Sequence, residues 1–259
     1  VLGNTTDGNT VSKIQALNSG ETSPTYIWEP NYDTHTAAGI ENARDVYGND
    51  AIASAGTIVP YSGVIDEISK TKPDLIKLMI TGGVLDAKKK GEPGELKMSP
   101  EIINAACKRA HELGYKVAAH VESPLGVKLA LENGVDTIEH GAKLDEEIIA
   151  LFKEHNASLI TTISPAIPLA KFDRSISKAT DLTQYNGNIV FEGIVSASKT
   201  CLDNDIKVGI GTDTACPFVT HYDTWRELDY FIKYVKSDNR EAIYHATCLL
   251  YTSPSPRDA

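Results

Sequence analysis

The chain has 259 residues, of which 41% are hydrophobic and 23% charged, and a formal net charge of -10. That composition belongs to a globular protein with a sizeable core, and the length suits one α/β barrel better than two domains, since such barrels run to about 250 residues. The acidic balance argues against nucleic-acid binding, which needs clustered Lys and Arg, and no apolar stretch approaches the roughly 20 residues that cross a bilayer.

In chain order the first part reads weakly. Residues 11–18 have helical spacing, 51–59 read as a strand and 63–70 as a helix, while 26–38, with Trp28, Pro30 and His35, have no period and read as loop. From Pro73 the alternation of strand and helix is clear. Residues 75–80 form an apolar run that Gly82-Gly83 terminates. The basic run Lys88-Lys89-Lys90, followed by Gly91 and Glu92, reads as a solvated loop. Ser99-Pro100-Glu101 opens a helix, with Ser99 as N-cap and Pro100 in the first turn, where its missing N–H costs nothing. Ile102, Ile103, Ala106 and Ala110 give that helix an apolar stripe.

Residues 116–119 are the next strand, 124–133 a helix and 135–139 a strand. Asp145 caps a helix running to about His155, and 158–163 is a β-branched strand. A polar segment at 171–187 reads as an active-site loop. Helices are expected at 194–204, 224–235 and 239–247, with a strand at 207–210. Strands separated by single helices imply a parallel sheet with right-handed crossovers. The fold class expected is α/β, a TIM-like (β/α)8 barrel over residues 1–247. Residues 248–259, with two prolines and no period, read as an unstructured tail or foreign scar.

Four strands end at or near a residue able to hold a metal: Lys77 in LIKLMITGG, His120 in KVAAHVES, His140 in DTIEHGA and Asp213 in VGIGTD. In a parallel barrel such strand ends converge on one mouth. Neutral imidazoles there suit zinc or a similar ion. A free ammonium cannot ligate a metal, but a lysine carbamate is an anionic two-oxygen ligand. A carboxylate at Asp213 can bind metal and take the proton of an attacking water. Taken singly, each residue has a plainer explanation: a hydrogen-bonding His, a solvated Lys, a turn-forming Asp. Together, four in order point to a metal-dependent hydrolase. His221, shortly after Asp213, is a candidate substrate contact. His111 and His155 are expected inside helices facing solvent, and His245 lies in the last helix. Cys107, Cys201, Cys216 and Cys248 form no zinc-finger spacing and read as reduced thiols of a cytoplasmic protein.

These segments resemble the amidohydrolase superfamily, in its imidazolonepropionase/prolidase-like branch. The matching motifs are Ile76-Lys77-Leu78-Met79 with Thr81-Gly82-Gly83, Ala118-Ala119-His120, Ile138-Glu139-His140-Gly141 and Gly209-Ile210-Gly211-Thr212-Asp213. The resemblance implies a barrel with one or two divalent ions, usually zinc, and hydrolysis of an amide, lactam or peptide C–N bond in a small molecule. It makes Lys77 a carbamylated bridging ligand, gives His120 and His140 to one ion, and makes Asp213 ligand and general base. The family's His-x-His pair on the first strand is not found in this sequence, so the chain is expected to be a fragment lacking that strand and the C-terminal part. A Schiff-base lyase using Lys77 and a non-catalytic truncated barrel are the alternatives, and a homo-oligomer stays open.

Overall fold

A computed structural model describes residues 65–249, with residues 67, 71 and 215 excepted. The readings for 11–18, 26–38 and 51–59, and the tail from residue 250, lie outside the described residues. Of the helix expected at 63–70, residues 65, 66, 68 and 69 are helical.

Five strands alternate with helices: β1 (Ile76–Met79), α1 (Pro100–Glu112), β2 (Val117–Val121), α2 (Pro124–Glu132), β3 (Thr137–His140), α3 (Glu146–Glu154) and β4 (Ser158–Thr161). After β4 come α4 (Ala166–Lys171), α5 (Arg174–Ser177), α6 (Asp181–Asp203), β5 (Val208–Ile210), α7 (Thr224–Tyr230) and α8 (Asn239–Ala246). The strands pair in sequence order and all in parallel. The described residues are therefore the arc of a TIM-like (β/α) barrel, as the strand-helix rhythm predicts. No helix among them is long and apolar enough to cross a membrane.

The helix starts follow their caps. Asp145 accepts the Ile148 amide at the head of α3, and Ser123 accepts the Gly126 amide ahead of Pro124 at the head of α2. Ile103, Ala106 and Ala110 of the expected stripe are buried along α1, together with Cys107.

Register divides the sheet into two faces. Ile76, Val117, Leu78, Ala119, Ile138, Leu159 and Val208 fall on one set of paired positions, and all are buried. This apolar row packs on the helices, each fully buried Ile, Leu or Val being worth about 1.5–3 kcal/mol. The opposite set carries Lys77 paired to Ala118, Ala118 to Thr137 and Thr137 to Ser158. Above it, Met79 pairs with His120, His120 with Glu139 and Glu139 with Ile160. Most polar strand residues, Lys77, His120, Thr137, Glu139 and Ser158, lie on this second face, the interior of the barrel, while His140 and Thr161 fall on the first set.

Several expectations change. The segment 171–187 is not a loop: it contains α5, and α6 begins at Asp181, well before the expected start at Ile194. Thr180 caps α6 by accepting the Thr183 amide. Polar Asn186 is buried, giving its amide to Lys89 O and accepting from Gly91 N, so tertiary bonds rather than apolar period hold this turn. The Lys88–Lys90 run is exposed, as expected, and Lys90 pairs with Asp181. His155 is the C-cap of α3 rather than a residue inside it. The helix expected at 224–235 is α7 followed by a π-helical turn, Phe231–Val235.

Candidate metal centre

β1, β2 and β3 deliver their chemistry to the interior face and its C-terminal rim. Lys77 is one strand step below the rim, with Nζ 3.7 Å from Glu139 Oε2. Glu139 in turn accepts the Thr137 hydroxyl at 3.0 Å. His120 stands near the end of β2, and Glu122 follows just beyond it, its amide donating to Thr81 Oγ1 at 3.0 Å.

His140 reaches the same place by a different route. The pairing of Val121 with His140 sets it on the face opposite His120. However, the backbone turns there: His140 has φ 68° and the following Gly141 φ 86°. Left-handed geometry is uncommon for a residue with a Cβ, and here it turns the side chain away from the direction the strand register would give it. The result is that the rings of His120 and His140 stand edge to face with centroids 4.5 Å apart. His140 Nδ1 is bonded to Thr162 Oγ1 at 2.5 Å, leaving Nε2 for the site.

His120, Glu122 and His140 offer ligand atoms that all lie within 4.8 Å of one another. His120 Nε2 and Glu122 Oε1 are 4.0 Å apart. Among the described residues, the buried side-chain atoms without a hydrogen-bond partner are His120 Nε2, Glu122 Oε2 and Ser158 Oγ. Two of the three belong to this group. An imidazole nitrogen and a carboxyl oxygen left without partners on two residues of one such group fit a divalent cation of the zinc type.

The protonation states agree. Burial, then the positive charge of Lys77, pushes His120 down to about 3. Burial likewise holds His140 well below the usual histidine range, with His120 and Lys77 adding to it. Both imidazoles are thus neutral, as ligands must be. Burial raises Glu122 to about 8, against the opposing pull of the Val84 amide, and Asp213 and Asp86 push the same way as burial. Burial lowers Lys77, while Glu139 and Asp213 resist. A lowered pKa shifts the balance from the ammonium toward the neutral amine.

Asp213, the fourth residue expected at the site, stands further off. Its charge is felt by Lys77, Glu122 and Glu227, yet the residue is exposed, sits at φ 46° beyond β5, and is outside the His120–Glu122–His140 group. Its Oδ2 accepts the Cys216 thiol at 3.3 Å, and burial pushes that thiol up to about 12. His221 lies on an exposed 3-10 turn, His221–Asp223, further along the same loop.

Sequence reasoning passed over Glu122 and Thr162. The signal for Glu122 was present: the spacing His-x-Glu at a strand end points both side chains the same way. Thr162 had none, since a threonine in a β-branched run reads as strand. Glycines bring neighbouring backbone close to the site. A Cβ on Gly94, which has φ 72°, would meet the Glu122 carbonyl carbon at 2.6 Å. Beyond the rim, Phe172 and Phe218 pack with ring centroids 5.5 Å apart, and a cavity of about 570 Å³ is lined by Lys171, Phe172, Asp173, Arg174 and Gln184.

Comparison with known proteins agrees with this geometry. A prolidase candidate from Bifidobacterium longum is 35% identical, with TM-score 0.71 over 77% of this chain and 49% of its own. A Xaa-Pro dipeptidase with methionine in its active site is 24% identical, with TM-score 0.67 over 94% of this chain and 61% of its own. The ochratoxinase of A. niger is 19% identical, with TM-score 0.69 over 95% of this chain and 59% of its own. The latter two likenesses concern the fold. An uncharacterized protein of Mycobacterium tuberculosis (strain ATCC 25618 / H37Rv) is 38% identical over 65 residues, 25% of this chain and 18% of that protein. The chain thus spans about half the length of the first of these structures and a smaller part of the mycobacterial protein. The sequence pattern of the Amidohydrolase family matches residues 20–248, and the chain belongs to that family.

Proposed function

We propose that the complete protein is a metal-dependent hydrolase that cleaves an amide, lactam or peptide C–N bond in a small molecule. The observation that carries this reading is the gathering of two neutral imidazoles and a buried carboxyl group within 4.8 Å, with His120 Nε2 and Glu122 Oε2 left without a hydrogen-bond partner among the described residues. The likeness to a prolidase candidate at 35% identity supports a C–N bond as the target.

In this reading His120, His140 and Glu122 would hold the ion, and Lys77, as its carbamate, would add a further anionic ligand. The ion, zinc being the one these donors suit, supplies when bound an acidified water and a positive charge facing the scissile carbonyl. Asp213 accepts the water's proton at its carboxylate and returns it to the leaving nitrogen. Its exposure puts it on the side from which substrate arrives. The Gly82-Gly83 turn, the segment 171–180 and the loop 216–223 with His221 line that approach. The unpaired cysteines are compatible with a cytoplasmic location.

The test is zinc content with turnover of dipeptides ending in proline, N-acyl amino acids and cyclic imides. Near-stoichiometric zinc, lost in His120→Ala and His140→Ala, is the expected result. Asp213→Asn is expected to keep most of the zinc and lose turnover. Well-folded protein that takes up no zinc overturns the reading.

A further inference from the structure

Glu227 is a carboxylate with no exposed surface, on α7, a helix whose neighbouring residues Trp225 and Arg226 are exposed. A buried carboxylate needs specific partners. Here they are two consecutive backbone amides: Ile163 N donates to Oε1 and Ser164 N to Oε2, the latter at 2.7 Å. Successive amides of an extended strand point to opposite sides. Both can reach one carboxylate only where the chain has turned, just past the end of β4.

The turn leads into α4, whose N-cap is Pro165 and has no side-chain cap bond. Proline has no side-chain group to cap with, and Glu227, from 63 residues away, supplies acceptors for the amides at the entry to this helix. The residue immediately before the clamped amides is Thr162, whose hydroxyl meets His140 Nδ1. Its other neighbour, Thr161, accepts the Ser198 hydroxyl at 2.9 Å. Thr162 is thus pinned from both sides along the chain.

We propose that Glu227 is a positioning residue for His140: by clamping the turn after β4 it fixes Thr162, and through Thr162 the tautomer and orientation of the His140 ring. With Nδ1–H donating to Thr162 Oγ1, Nε2 is left with a free lone pair facing His120 and Glu122. Its consequence for metal binding rests on the reading of His140 as a ligand; the tautomer itself does not. A carboxylate is suited to this clamp because both its oxygens accept, whereas an amide offers one acceptor and one donor.

The experiment uses the full chain with nitrogen-15-labelled histidine, free of metal, and reads which ring nitrogen carries the proton. Wild-type His140 is expected as the Nδ1–H tautomer. Glu227→Gln is expected to give a mixture, Thr162→Val the same mixture, and the double variant no further change. Thr162→Ser should restore the wild-type state, and His120 should stay unaltered throughout. Where Glu227→Gln fails to fold, Glu227→Asp, which keeps both acceptors on a shorter arm, should show a partial shift. Zinc affinity of Glu227→Gln should fall about 10- to 100-fold, the range for loss of a group that orients a ligand. A Glu227→Gln protein with lowered Tm but an unchanged His140 tautomer overturns the proposal and leaves Glu227 a helix cap. Failure of wild-type protein to bind zinc, with the tautomer response intact, instead overturns the metal reading alone.

Discussion

His120 Nε2 and Glu122 Oε1 face each other across 4.0 Å at the end of one strand, too far for a hydrogen bond and suitably spaced for an ion between them. The two groups approach that ion in different states of protonation. His120, held near 3, is already neutral at any physiological pH, whereas Glu122, raised to about 8, carries a proton that must leave. Zinc binding between pH 5 and 7 is therefore expected to release about one proton, and affinity to rise about tenfold per pH unit until it levels near pH 8. Calorimetry in buffers of differing ionisation enthalpy measures this. Glu122→Gln should abolish the release; an unchanged release in that variant would show that the proton comes from elsewhere.

The same shifts give the metal-free protein a plateau of stability. His120 and His140 have lowered pKa values when folded, so their contribution is whole above about 6.5 and declines as pH falls, by about 1.4 kcal/mol per unit for His120 down to about 3. Glu122 and Glu227 are raised, to about 8 and about 7, so theirs is whole below 4.5 and declines as pH rises. The two trends offset each other between 4.5 and 6.5, with stability falling on either side. Chemical denaturation across pH 4 to 8 reads the profile. Loss of the alkaline limb in Glu122→Gln is expected, and a limb that persists unaltered there would assign it to other groups.

Gly94→Ala sets a side chain against the Glu122 backbone at 2.6 Å and forces a left-handed φ of 72° on it. A loss of about 1–3 kcal/mol is expected from overpacking alone, together with lower zinc occupancy because Glu122 is the residue displaced. Gly91→Ala, also at positive φ but with open space around its Cβ, is the control and should leave zinc unchanged.

Lys77 offers a direct readout of its chemistry. Its amine is held below the usual lysine range by burial, with Glu139 opposing. Bicarbonate should raise the zinc content of the wild type and add the mass of one CO₂ at Lys77 under native conditions. Lys77→Ala should do neither. Borohydride trapping of a carbonyl substrate on Lys77 would instead favour the Schiff-base alternative.

The fold was legible where period and punctuation agree. Ser99-Pro100, Asp145 and the apolar runs around Ile76, Val117 and Leu159 located their elements to within a few residues, because each rests on local backbone chemistry. The start of α6 was not legible, because Asn186 is buried by bonds to residues 89–91, a tertiary arrangement that leaves a polar segment looking like loop. At the site, His120 and His140 stood out as histidines at strand ends. Thr162, which bonds His140, and Glu227, which bonds the two amides after Thr162, did not, since what distinguishes them is a tertiary contact and not a residue type.

The alternation between Ile76 and Lys77, or Ile138 and Glu139, has an evolutionary corollary. In β1 stability and reactivity are written on alternate letters, so there the lining of the barrel can be revised without disturbing the layer that packs on the helices. A single inserted residue within a strand would exchange the two scripts, burying charge beneath the helices and emptying the site in one step.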